Sequence, residues 1–153
     1  MRYEYIEPFV ATTKKVLTSV LQQEVSSGDM TLLRGTEVRG DVSIVIKVTG
    51  DSEGCIIVNM DDATARRVGA VMSGSDCGCA PPLEMDAIAE LSNMIAGNAA
   101  SSLNDLGCDF TLSPPAVVRP ADIPARTEGV EVFSVPLDTR CGEILVNVSL
   151  KTT

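Results

Sequence analysis

Val42-Ser-Ile-Val-Ile-Lys-Val-Thr-Gly50-Asp-Ser-Glu-Gly54-Cys-Ile-Ile-Val-Asn-Met60 decides the fold class of this chain. Val42, Ile44, Ile46 and Val48 alternate with Ser43 and Lys47, which is the two-residue period of a strand with one apolar face. The glycine-bounded segment 50–54 is short enough to be a hairpin connection, so 42–49 and 54–60 pair antiparallel. Residues 31–34 supply a strand ahead of them, completing a meander of three.

Helical spacing surrounds that meander. Before it, Pro8 suits a first helical position, and Phe9, Val10, Thr13, Val16, Leu17, Val20 and Leu21 recur on one face as far as about Gln23. After it, Asp61 and Asp62 read as the cap of a second helix, with Ala65, Val68, Gly69 and Met72 as its buried stripe and Gly74 as its stop. The segment from Ser73 to Pro82 reads as a loop, followed by a third and longest helix over 84–106 that ends near Gly107. Phe110 to Leu112 and Ala116 to Val118 flank Pro114-Pro115, and a proline-containing linker through Pro124 leads to strands 130–137 and 143–151 around the turn Asp138 to Gly142. In the last strand Ile144, Val146, Val148 and Leu150 alternate with Asn147 and Ser149. Short-turn strands with helices grouped between them predict an α+β fold, a mostly antiparallel sheet covered on one face by three helices, in one domain over 1–153.

The third helix carries a polar stripe with no apolar reason to exist. At about 100° per residue, Asp86, Glu90, Asn93, Gly97 and Ser101 share one side, opposite Met85, Ile88, Leu91, Ile95, Ala99, Leu103 and Leu106. Glu90 and Asn93 are separated by about 4.5 Å along the axis and point the same way. Gly97 follows them with no side chain, at a cost of about 1 kcal/mol against alanine inside a helix, so a partner could approach the backbone there. The plain alternative is a solvated helix surface.

Composition narrows the chemistry. The net charge is −9 with a pI near 4.4, which disfavours nucleic acid and anionic membrane as partners. The N-terminal residues show no basic region followed by an apolar run, and nowhere do 18 apolar residues follow one another, so a cytoplasmic protein is expected. Five cysteines, at 55, 77, 79, 108 and 141, suit reduced thiols. There is no histidine, which removes imidazole bases, phosphohistidine chemistry and histidine-ligated metals together.

Other phosphate chemistries fare poorly. No cysteine stands five residues before an arginine, as a cysteine phosphatase loop requires. Gly35 and Gly40 have the glycine spacing of a phosphate-cradling loop, but Asp41 follows where lysine is needed. A Gly-x-Ser-x-Gly elbow is absent. Cys77 and Cys79 lack the further ligands of a structural metal site, so a bystander loop is expected there, with a redox or soft-metal role as the alternative. Asp61 and Asp62 could be imagined on magnesium, but their place before a helix favours capping. Glu90 and Asn93 alone therefore make a poor active site, yet a good half of one: an amide can orient a water for attack on phosphorus if a partner supplies phosphate, metal and cation.

The segment Glu90-Leu-Ser-Asn-Met-Ile-Ala-Gly-Asn-Ala-Ala100 resembles the Glu-x-x-Asn helix of the CheC/CheX/FliY family of bacterial chemotaxis phosphatases, and with one such helix rather than two the chain is most similar to the CheX type. Tyr3 to Phe9, the helix start at Asp61-Asp62-Ala-Thr-Ala65, Glu84 to Glu90 and Leu112-Ser-Pro-Pro-Ala-Val-Val118 extend the resemblance. It implies dephosphorylation of the aspartyl-phosphate of a CheY-type response regulator, with Glu90 pairing with the regulator's lysine and Asn93 holding the attacking water. Asp86 matches the family's acidic or serine position four residues before its glutamate, and Pro114 or Pro115 matches a later proline. Asp86, Gly97 and Ser101 would belong to the partner-binding face. The second helix has Arg66 and Arg67 where an active copy needs Glu and Asn, and the first offers Glu7 with Val10 three residues on, so one active face per chain is implied.

The resemblance further implies a homodimer whose sheets join, for which the alternation in 42–49 and 143–151 would suit edge pairing. No cofactor of the chain's own is implied, and Mg²⁺ is expected in the partner receiver domain. The competing function is a non-catalytic receiver-binding or flagellar-switch adaptor using the same face.

Overall fold

The computed structural model describes residues 3–34, 41–74, 81–107, 109–118 and 131–152. Its elements run α1 (Tyr3–Leu21), β1 (Ser26–Ser27), β2 (Thr31–Arg34), β3 (Val42–Gly50), β4 (Ser52–Met60), α2 (Asp62–Met72), α3 (Pro81–Asp105), β5 (Phe110–Leu112), β6 (Ala116–Val118), β7 (Glu131–Thr139) and β8 (Gly142–Thr152). Among the described residues the strands form one eight-stranded sheet of order β1-β7-β8-β4-β3-β5, with β2 also on β7 and β6 also on β3. Every pairing is antiparallel, so the α+β architecture stands.

The alternation in β3 does what its period requires. Val42, Ile44, Ile46 and Val48 are buried with Ile56, Val58 and Met60 of β4 and Ile144, Val146 and Val148 of β8. Ile6, Phe9, Val16 and Leu17 of α1, Ala65 and Val68 of α2, and Ile88, Leu91, Ile95 and Leu103 of α3 close the same core. The β3–β4 turn is tight: Gly50 has φ +116, and a Cβ there would collide with the backbone oxygen of Asp109. That oxygen accepts from the N–H of Asp51 at 2.9 Å, and Asp51 Oδ2 accepts from the N–H of Asp109 at 2.9 Å.

The structure corrects several expectations. Helix α1 starts at Tyr3 and holds Pro8 inside, because burial of Ile6 anchors the turn ahead of it and only one backbone donor is lost. Helix α3 starts at Pro81 and includes Pro82, at positions whose N–H groups have no helical acceptor in any case. Leu106 lies past its end and is 59 % exposed, not part of the buried side.

Neither 42–49 nor 143–151 is an edge. Strand β8 sits between β4 and β7, and β3 is bordered by β5 and β6. That outer border is broken at Pro114-Pro115, where Ser113 accepts from the N–H of Lys47 and donates its own N–H to the Lys47 carbonyl, each at 2.9 Å. Most polar residues on the second face of the sheet are not solvated either: Ser43, Asn59, Asn147 and Ser149 are buried, while Lys47 is exposed. Asn147 Nδ2 donates to the Ile57 carbonyl at 3.1 Å and lies 3.5 Å from Asn59 Oδ1. Ser43 Oγ and Asn59 Nδ2, on residues paired in register between β3 and β4, are buried without a hydrogen-bond partner.

Candidate functional site

Helix α3 packs against both α1 and α2, which leaves one outward stripe. Thr12 of α1 reaches it through a 3.2 Å hydrogen bond to Ser102 Oγ, and Ser92 Oγ donates to the Ala89 carbonyl at 2.6 Å on the buried side. Asp86, Glu90, Asn93, Gly97 and Ser101 are all exposed on the outward stripe, as the spacing predicted. From Asp86 to Ser101 the stripe runs about 22 Å along the helix axis. No hydrogen bond among the described residues engages the side chains of Glu90 or Asn93. A Cβ built on Gly97 would meet nothing within 4 Å, so the helix there offers bare backbone to its surroundings.

Met94 belongs to this face too, at 36 % exposure, and the sequence reading left it out. The signal was present: four residues beyond Glu90, it falls within about 40° of it on a helical projection.

Helix α2 offers no second copy of the site. Arg66 and Arg67 are exposed, and Arg67 Nη1 donates to the Cys141 carbonyl at 3.2 Å, tying α2 to the β7–β8 turn. Asp61 caps α2 as expected: Oδ1 accepts from the N–H of Thr64 at 2.7 Å, and Asp41 Oδ2 accepts from the N–H of Asp62 at 3.0 Å. The Thr64 N–H holds the Asp61 carboxyl below its ordinary range. On α1, Glu7 is exposed while Val10 is half-buried. Pro114 and Pro115 lie between β5 and β6, both of which touch α3.

The two described cysteines are poorly placed for thiolate chemistry. Burial pushes the thiols of Cys55 and Cys141 up, which suppresses the reactive thiolate. Cys77, Cys79 and Cys108 lie outside the described residues, as do Gly35 and Gly40. Among the described residues no group of three or more acidic or cysteine side chains is placed to hold a metal ion. No helix there is long and apolar enough to cross a membrane. What the α3 face can offer chemically is a carboxylate and a carboxamide, rigidly spaced on a packed helix and open to a macromolecular surface.

Comparison with known proteins places the chain in a family. Residues 42–138 match the family model described as chemotaxis phosphatase CheX. The CheY-P phosphatase CheX of Thermotoga maritima is 29 % identical over 133 residues, covering 86 % of this chain and 85 % of that protein. The crystal structure of a chemotaxis protein CheX from Desulfovibrio desulfuricans superposes with a TM-score of 0.83 at 29 % identity, covering 97 % of this chain and 99 % of the other. The CheX chain of a CheX–CheY–BeF₃–Mg²⁺ complex from Borrelia burgdorferi gives a TM-score of 0.78 at 28 % identity, covering 98 % and 99 %.

Proposed function

The chain belongs to the chemotaxis phosphatase CheX family, and we propose that it hydrolyses the aspartyl-phosphate of a CheY-type receiver domain by inserting the Glu90–Asn93 face of α3 into that domain's active site. The observation that carries this reading is the exposed, otherwise unengaged pair on a helix that α1 and α2 hold in place.

Hydrolysis of an acyl phosphate needs a water in line with phosphorus and neutralisation of the charge on the phosphoryl oxygens. The Asn93 carboxamide both donates and accepts, so it can fix a water by two contacts. Glu90, one turn earlier and acceptor-only when ionised, suits a cation beside the phosphoryl group and so sets the dock. The chain needs no metal for this. Mg²⁺ belongs to the partner, in keeping with the relative that forms a complex with CheY, BeF₃ and Mg²⁺. A hundredfold acceleration asks for about 2.7 kcal/mol, within reach of one positioned water.

The molecule acts in the cytoplasm as a homodimer of single-domain chains in this reading, which light scattering on the purified protein checks. Phosphate release from a panel of phosphorylated receiver domains, with wild type and Asn93→Ala compared, tests the chemistry. Binding without any acceleration would favour an adaptor instead.

A further inference from the structure

Beyond Asn93 the outward face of α3 changes character. Asn98 Nδ2 donates to the Met94 carbonyl at 2.8 Å, and Ser101 Oγ donates to the Gly97 carbonyl at 3.2 Å. Both polar side chains are thereby turned back onto their own helix, whereas Glu90 and Asn93 project without such bonds. Between them stand Met94, 36 % exposed, and Gly97, with open space where a side chain would be. The face is divided into an acidic and amide-bearing half from Asp86 to Asn93 and an apolar half at Met94 and Gly97. An unbranched thioether adapts its shape to an irregular apolar surface better than a branched side chain does.

Resting on the reading of α3 as the receiver-docking helix, we propose that Met94 and the bare backbone at Gly97 form an apolar seat that sets how tightly the phosphorylated receiver binds. The occupant is a receiver domain that presents a cation to Glu90 and an apolar side chain one helical turn farther on. Charge and continuity both point to it. Helix α3 carries no lysine or arginine between residues 81 and 105, so Asp86 and Glu90 leave the cation to the partner. Met94 follows Glu90 by four residues and precedes Asn98 by four on the same face, so one docked surface meets the carboxylate and the seat together. The seat touches the partner away from the reacting atoms and is occupied equally in ground and transition states. Its loss therefore raises Kd and KM while sparing kcat.

The test pairs two readouts: titration with a CheY-type receiver domain loaded with Mg²⁺ and beryllofluoride, and steady-state phosphate release from the same domain phosphorylated. Met94→Ser should raise Kd and KM about tenfold with kcat changed by less than about twofold, as for loss of one apolar anchor. Met94→Leu should restore most of the affinity, and Leu106→Ser, at an exposed apolar site outside the face, should leave both readouts alone. Matched thermal melts establish that the variants fold. Wild-type Kd and KM in Met94→Ser would overturn the seat. If Asn93→Ala keeps full turnover while Met94→Ser weakens binding, the proposed chemistry fails and the seat stands. If Asn93→Ala loses turnover while Met94→Ser binds normally, the seat alone fails. A wild-type protein that binds no receiver domain overturns both.

Discussion

Asn93 stands four residues before Gly97 on the exposed face of α3, and nothing beyond the helix's own backbone lies within 4 Å of where a Gly97 side chain would begin. The helix thus keeps its amide beside a stretch of open backbone, at a cost to its own stability. That combination makes sense when another surface comes down on it.

Gly97→Ala follows directly. With open space at the site, alanine removes a helix penalty of up to about 1 kcal/mol, so the melting temperature should rise by about 2–4 °C for a chain of this size. Phosphate release from the receiver should fall at the same time, because the added methyl group holds the partner off the backbone. Higher stability with unchanged turnover would show that no partner approaches there.

Stability in acid should report on the α2 cap. The Thr64 N–H draws the Asp61 carboxyl below its ordinary value near 3.8, so the folded state holds the charged form more strongly than the unfolded chain does. The contribution is then complete above the unfolded value and fades as pH drops through the lowered folded one. Asp61→Ala should lose about 1 kcal/mol near neutral pH, and the gap from wild type should narrow below about pH 4 in urea titrations. A gap independent of pH would assign the effect to something other than the carboxylate.

The second face of the sheet makes a prediction of opposite signs. Ser43 Oγ is buried without a partner, so Ser43→Ala should be neutral or stabilising by up to about 1 kcal/mol. Asn147→Ala strips the donor from the Ile57 carbonyl and Asn59 Oδ1 and should cost about 1–3 kcal/mol. Denaturant midpoints of the two variants on either side of wild type would bear this out, whereas a strongly destabilised Ser43→Ala would contradict it.

The period of the hydrophobic pattern carried much of the fold. Val42 to Val48 and Ile144 to Val148 carry the period of strands, and the stripe from Asp86 to Ser101 puts Glu90 and Asn93 on one helix face, which is exposed in the structure. Periodicity assigns residues to a common face but says nothing of what covers that face. Ser43 and Asn147 alternate with core residues, a pattern that suits an exposed face, yet both are buried, and Asn147 lies against Asn59. Likewise the strands chosen for edge pairing lie inside the sheet, since pairing order is a long-range property that no local window contains.

Local rules failed where the rest of the fold outweighed them. Pro8 and Pro81 looked like boundaries, but buried Ile6 carries α1 past the first, and the partnerless N–H groups of a first helical turn admit the second. Met94 was visible on the helical projection but was passed over, because an apolar residue on a polar stripe runs against the pattern that defined the stripe.

The most direct measurement is phosphate release from a phosphorylated CheY-type receiver domain with wild type and Asn93→Ala at matched occupancy by the receiver domain. Wild type should accelerate release, and Asn93→Ala should bind the receiver equally well while release returns to the spontaneous rate. Undiminished turnover in Asn93→Ala would contradict it.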